Sequence, residues 1–316
     1  MYDVIALGEL LIDFAAVSAD AEGYPTMAAH PGGAPANYLA AVNKYGGKTA
    51  LIGKVGNDSF GQLLLKTLES SGIDTCAMKL TDDFFTTLAF VSFDEHGDRS
   101  FAFSRKPGAD TQLCFEDIDT AMIDKCRVFH FGTLSLTHEP AKTATIKAVE
   151  YAKSAGKLIS FDPNLRPPLW SSLEDARQQM EWGIKQADIV KISDEEVDFL
   201  WQLSPEDGAD KLIDEYGVKL CFVTCGAEGC VYKNAQCKGS VPAMQGLKVI
   251  DTCGAGDIFG GSAAWQILCS GKAPEELNDD ELQSIVRFAC TAAGLSTQRP
   301  GGISSIPSLD EVKSFL

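Results

Sequence analysis

Two kinds of segment alternate along the chain. Short runs rich in β-branched and aromatic residues are followed by longer stretches in which apolar residues recur every three or four positions. VIALGEL (Val4–Leu10) predicts a strand, and Pro35–Tyr45 a helix stopped by Gly46 and Gly47. Thr49–Val55 predicts a second strand, leading to a helix over Ser59–Ser70 that stops near Gly72. The pairing recurs with Val128–Leu134 before Glu139–Ala155, Lys157–Pro163 before Ser172–Gln186, and Asp188–Ser193 before Asp194–Gln202. Leu220–Cys225 adds a further strand, and Gly254–Cys269 and Asp280–Ser296 read as long helices. Such alternation implies right-handed βαβ units, hence an α/β fold with a doubly wound, mostly parallel sheet covered on both faces.

Two stretches break this rhythm. Residues 11–31 and 84–104 carry strand-like patterns with no helix between, and D-E-H-G-D (Asp94–Asp98) reads as a hairpin turn. They predict a small β-sheet lid inserted in one α/β domain over residues 1–316. Neither a low-complexity linker nor a fixed-period repeat interrupts the chain.

Composition narrows the function classes. Apolar residues make up 45% and charged residues 22% of 316, ordinary globular usage, and no run of 18 apolar residues predicts a membrane span. The N-terminal MYDVIALGELLIDF carries Asp3, Glu9 and Asp13 and no basic stretch, so it reads as a strand rather than a signal peptide. A net charge of −17 argues against nucleic acid or an anionic membrane surface as partner, though one small anion could bind where backbone N–H groups converge. Ten cysteines without a secretory signal point to a reducing, cytoplasmic setting. Cys221, Cys225, Cys230 and Cys237 interrupt strand-like runs at spacings wider than zinc pairs, so they read as core residues. The four histidines show no H-x-x-x-H pairing.

Several nucleotide and hydrolase motifs fail. Gly47-Lys48-Thr49 ends like a P-loop, but Val42 stands where its first glycine belongs. No G-x-G-x-x-G opens a helix in the N-terminal third, and no G-x-S-x-G is present. The informative segment is VIDTCGAGDIFGGSAA (Val249–Ala264), in which Gly254-Ala255-Gly256 precedes Asp257 and a small-residue helix. Small residues at a helix N-terminus let backbone N–H groups approach an anion, and the carboxylate behind them could take a proton from an attacking nucleophile. The same sequence also suits an ordinary helix start with a first-turn charge. A second glycine turn, H-P-G-G-A-P-A-N (His30–Asn37), again opens a helix and presents the Asn37 amide; it too could be a plain helix start with Pro35 in the first turn.

Together these segments resemble the two signatures of the ribokinase/PfkB carbohydrate kinase family. The first is similar to Gly32-Gly33 followed by Asn37, Gly46-Gly47 and GNDSFG (Gly56–Gly61); the second to Asp251-Thr252-Cys253-Gly254-Ala255-Gly256-Asp257. Order and spacing match from residue 2 to about residue 307, with Leu39 and Ser262 departing from the small residues preferred there. Within the family, GELLIDF (Gly8–Phe14), Asp98–Asp110 and FDPNLRPPLW (Phe161–Trp170) are most similar to a bacterial-type fructokinase. Kinases of 2-keto-3-deoxygluconate and nucleosides share parts of these segments, so those acceptors and ribose remain alternatives, as does a non-catalytic sugar- or nucleotide-binding homologue.

The resemblance implies a ribokinase-like fold and an ATP-dependent kinase acting on a sugar primary hydroxyl. Asp257 would be the base, with Gly254, Ala255 and Gly256 as the anion hole. Asp13, Gly32, Gly33, Asn37, Arg105 and Arg166 would contact the sugar; for Arg166 a surface position beside Pro167 is the alternative. Thr224, Gly226 and Gly229 would flank the nucleotide, with Ser193 and Glu196 in place of the family's N-x-x-E, which positions Mg²⁺ and phosphate. A K⁺ site would draw on Asp251, Cys253, Ser296, Arg299, Gly301 and Ser305. The lid has apolar residues on both faces, with Leu88 and Phe90 on one and Ala89, Val91 and Phe93 on the other. That pattern, and the family, imply a homodimer through the lid; a monomer with one wet lid face is the alternative.

Overall fold

Side-chain alternation in the first strand decides the layering. Ile5 and Leu7 point to one side and Val4 and Ala6 to the other, and all four are fully buried, so the sheet needs cover on both faces. A computed structural model, describing residues 1–93 and 99–316, supplies that cover. In chain order, β1 (Tyr2–Leu7), β2 (Leu11–Ala19) and β3 (Pro25–Gly32) precede α1 (Ala34–Lys44), β4 (Thr49–Gly56), α2 (Ser59–Ser70) and β5 (Met78–Thr81). Next come β6 (Leu88–Phe93), β7 (Arg99–Ser104), α3 (Thr120–Ile123), β8 (Cys126–Gly132), α4 (Ala141–Ser154) and β9 (Leu158–Asp162). α5 (Leu173–Gln186), β10 (Ile189–Ser193), α6 (Asp194–Trp201), α7 (Pro205–Asp214) and β11 (Leu220–Thr224) follow. The chain ends through β12 (Cys230–Asn234), β13 (Lys238–Val241), α8 (Ala255–Ser270), α9 (Asp279–Ser296) and α10 (Leu309–Lys313).

The large sheet has the order β13-β12-β11-β10-β9-β8-β1-β4-β5, parallel from β11 to β5 and antiparallel through β12 and β13. Ile5 and Leu7 pack with Ala148 of α4, Ile184 of α5 and Val197 of α6 on one face. Val4 and Ala6 pack with Leu39 of α1, Ile258 of α8 and Phe288 of α9 on the other. This is the mixed, doubly covered α/β sheet the alternation predicts. Cys221 and Cys230 lie buried in β11 and β12 as strand-core residues. Ser262 is absorbed within α8, where its hydroxyl donates to the Ile258 carbonyl at 2.6 Å. Among the described residues no helix is long and apolar enough to cross a membrane.

The two irregular stretches form a second sheet of four strands, β3-β2-β6-β7. Its two antiparallel pairs are joined by parallel pairing of β2 with β6. The turn expected at Asp94–Asp98 lies outside the described residues. Predicted and observed bounds differ where the chain changes course. The first strand stops at Leu7 because Gly8–Leu10 carry the backbone from the large sheet into the small one. The helix expected from Glu139 begins at Ala141, since Pro140 stands at its N-cap.

Candidate active site

Both glycine turns open helices, and the helices pack on each other. Gly33 caps α1 at φ 119°, and a Cβ there would come within 2.5 Å of the Glu9 carbonyl oxygen. Gly254 caps α8 at φ 74°, also left-handed. Tyr38 of α1 lies against Gly260 and Gly261 of α8. This contact brings the two N-termini together, so that the Asn37 amide donates to Asp257 Oδ2 at 2.9 Å. Two motifs 220 residues apart thereby share one hydrogen bond.

Two cavities meet at the α8 turn. One, of about 380 Å³, is polar and lined by Asp13, Gly33, Asn37, Arg166, Ser193, Glu196, Cys253, Gly254 and Asp257 among others. The second, of about 410 Å³, is mostly apolar; Thr224, Gly226, Gly229 and Ala255 line it with Met244, Leu247, Val249 and Phe259. Thr252 and Gly256 line both, so the turn is a shared wall. Positions two and three of α8 are Gly256 and Asp257, whose N–H groups have no acceptor within the helix. The dipole of α8 adds to the attraction for an anion at this wall.

The polar cavity is dense in carboxylates. Glu9, Asp13, Glu195, Glu196 and Asp257 face it against the cations Arg166 and Lys191. Burial pushes Asp257 above the ordinary carboxylate range, opposed by the Asn37 hydrogen bond and by Lys191 and Arg166. Burial likewise lifts Asp13 to about 6, against the pull of Arg166. A buried carboxyl moved toward neutrality suits a general base. Asn37 Oδ1 is buried and has no hydrogen-bond partner among the described residues, leaving an acceptor for a ligand hydroxyl.

Other expected residues lie elsewhere or act differently. Arg105 does not line the cavity: it is buried behind it, paired with Asp110 at 2.7 Å and donating to Thr137 Oγ1 and the Leu134 carbonyl, each at 2.8 Å. In this position Arg105 braces Leu134, which does line the cavity. Gly32 lies beneath the Asp13 carboxylate, where a Cβ would meet Oδ2 at 2.1 Å, and is not itself in the lining. Ser193 and Glu196 form a capping box on α6, and Glu196 also accepts the Leu165 N–H at 2.7 Å, tying the loop after β9 to that helix. Asp251 clips two loops, accepting the Cys253 and Gly301 N–H groups at 2.9 Å each. Ser296 donates to the Ala293 carbonyl, Ser305 to the Gly302 carbonyl, and Arg299 pairs with Glu311, so each of these side chains is engaged locally.

Among the lining residues that had no expected role, three stand out. Glu9, buried where the chain leaves the large sheet, accepts the Ala34 N–H at 2.9 Å and is raised to about 7, chiefly by burial. Asn164 adopts φ 46° in the loop after β9. Lys191 stands in β10. Each had a signal: a carboxylate at a strand end, a left-handed-tolerant residue in D-P-N, and a lysine inside an apolar strand.

Fold and site together are those of a carbohydrate kinase. The model of the pfkB family carbohydrate kinases matches residues 1–309, and the chain belongs to that family. It is 40% identical over 318 aligned residues to Fructokinase-1 of Zea mays, across 99% of this chain and 97% of that protein. The structure of fructokinase with bound ATP from Xylella fastidiosa matches with a TM-score of 0.88 at 29% identity, covering 99% of this chain and 98% of that one. A fructokinase from Vibrio cholerae O395 in fructose-, ADP- and calcium-bound form matches at 0.87 and 30% identity, covering 100% and 99%. The bacterial-type segments thus occur in a chain also close to a plant enzyme.

Proposed function

We propose that this chain is an ATP-dependent fructose kinase that phosphorylates a primary hydroxyl. The observation that carries the reading is the shared wall, a helix N-terminus with a carboxylate behind it between a polar and an apolar cavity. The acceptor sugar would lie in the polar cavity, its hydroxyls on Asp13, Asn37 and Arg166. The adenine would lie among Met244, Leu247 and Phe259, with the phosphates reaching the turn past Gly226 and Gly229. Asp257 then takes the hydroxyl proton as the oxygen attacks the γ-phosphorus in line, and the oxygen–phosphorus bond to ADP breaks. The N–H groups of the α8 turn, aimed beforehand at the transferring oxygens, stabilise the charge gathering there. The smaller sheet acts as a lid, since Leu11, Asp13 and Phe103 line the cavity from it.

Mg²⁺ fits as an ion carried in with the nucleotide. Each Glu196 oxygen already accepts one backbone N–H, and among the described residues no three His, Cys, Asp or Glu cluster as ligands. Phosphate oxygens and water would complete its shell beside Glu196, where it would neutralise phosphate charge. For K⁺, the loops clipped by Asp251 suit backbone carbonyl ligands more than the side chains of Ser296, Arg299 and Ser305. Ten cysteines, none in a disulfide, suit a cytoplasmic setting.

A lid-to-lid homodimer is part of this reading. The face bearing Phe14 and Phe90, stacked at 5.3 Å, is covered at its root by Phe60 of α2, and farther along β2, at the irregularity between Ala16 and Ser18, Val17 is 60% exposed. Light scattering at micromolar concentration is expected to give twice the 33.9 kDa chain mass; a monomer mass would reject the clasp. The function is tested by ATP consumption on fructose, ribose, 2-keto-3-deoxygluconate and a nucleoside. Fructose is expected to give the highest kcat/KM. Preference for another acceptor would overturn the substrate, and no turnover on any would favour a non-catalytic homologue.

A further inference from the structure

Asp257 and the glycine turn leave one buried cation of the cavity without a part. Lys191 occupies the middle of β10, which pairs with β9 and β11 on its two sides, and its side chain is only 13% exposed. A lysine there is costly unless its charge is compensated or used. Its ammonium lies 3.2 Å from Asp162 Oδ2 and 3.4 Å from Oδ1. It also lies directly under the α8 turn, since a Cβ on Gly256 would come within 2.8 Å of Nζ.

The surroundings fix that position and keep it charged. Beneath Lys191 a cavity of about 10 Å³, roughly the room for one water, is walled by Tyr38, His130 and Ser160. Tyr38 and His130 stack at 3.7 Å, and Ser160 Oγ is within hydrogen-bond distance of both, 3.2 Å from Tyr38 Oη and 3.0 Å from His130 Nδ1. Burial drives His130 down to about 3, so this floor is neutral. For Lys191 burial works against the charge, but Asp162, Glu196 and Asp257 outweigh it and hold the ammonium protonated. Arg166 acts on both Asp13 and Asp257 across the cavity, whereas Lys191 is the lining cation that lies against the glycine of the turn itself.

We propose that Lys191 is a further catalytic residue: its ammonium, held by Asp162 beneath Gly256, binds an oxygen of the phosphoryl group in transfer. The inference rests on the kinase reading above. No bond to the lysine forms or breaks and no proton leaves it. It acts as a fixed charge, already oriented, where the equatorial oxygens gather negative charge between leaving ADP and the attacking hydroxyl.

The test is Lys191→Met alone and combined with Asp162→Asn, each with a thermal melt. Lys191→Met is expected to lower kcat on the order of 10²–10³-fold, with the fructose KM within about threefold of wild type. A folded single variant with kcat within about threefold of wild type would overturn the proposal. Loss of the partner could instead unfold the single variant by leaving Asp162 buried and unpaired. The double variant removes both charges and separates the two roles. If the lysine acts on the phosphoryl group, the double variant folds but stays slow. Recovery of wild-type kcat in it would show that Lys191 serves only Asp162, and would overturn the proposal. Wild-type turnover reports on the kinase reading separately: its absence on every sugar would overturn both.

Discussion

The two cavities beside the α8 turn have similar volumes and opposite chemistry. The polar one gathers five carboxylates and two cations, whereas the other is walled largely by Met244, Leu247, Val249, Phe259 and small residues of α9. The contrast teaches how one turn can serve two ligands. Sugar hydroxyls are told apart by directed polar groups, which must be buried and therefore cost stability. A flat, partly apolar base needs enclosure and backbone contacts, which carry no such electrostatic cost.

Glu9→Gln tests the cost on the polar side and should have the larger effect. Burial raises the Glu9 carboxyl from the ordinary 4.5 to about 7 in the folded chain. Below pH 4.5 folded and unfolded states both hold the proton. Between 4.5 and 7 the unfolded chain gives it up while the folded chain keeps it, so stability falls as pH rises and levels off above 7. Glu9→Gln keeps an acceptor for the Ala34 N–H and removes this loss. Urea unfolding should find the variant more stable by about 3 kcal/mol at pH 8, with the gain gone by pH 4. A gain independent of pH would contradict the assignment.

Ala293→Phe tests the apolar side. A ring introduced from α9 should fill part of that cavity and raise the KM for ATP about tenfold, roughly 1.4 kcal/mol, without changing the KM for fructose. Its stability should follow wild type across pH, because no titrating group is touched. A rise in the fructose KM alone would reverse the assignment of the two cavities.

Much of this contrast was legible in the sequence, for local reasons. Gly33, Asn37, Gly254 and Asp257 sit at helix starts, where backbone conformation restricts the residue types, so short motifs declare them. The parallel core was legible because Val4 to Leu7 and their counterparts are apolar on both faces. Glu9 and Lys191 stayed hidden because their roles depend on distant partners: Ala34 across the turn, and Asp162 on the neighbouring strand. The place of Arg105 behind the cavity was not legible either, because it depends on Asp110, five residues on, which accepts from its guanidinium. β5, β13 and α7 were missed as well. β5 and β13 have four residues each, and α7 (PEDGADKLID) begins at Pro205 with three acids and a glycine, which blurs its periodicity.

The central claim is that Asp257 activates the acceptor hydroxyl at the wall between the cavities. Phosphorus NMR of ATP and fructose with wild type and with Asp257→Asn, each shown folded by circular dichroism, tests it most directly. With wild type, ADP and a phosphomonoester on a primary carbon should grow in together. With Asp257→Asn that ester should form on the order of 10²–10⁴ times more slowly. Ester formation at a near wild-type rate in the folded variant, or release of free phosphate in place of the ester, would contradict the account.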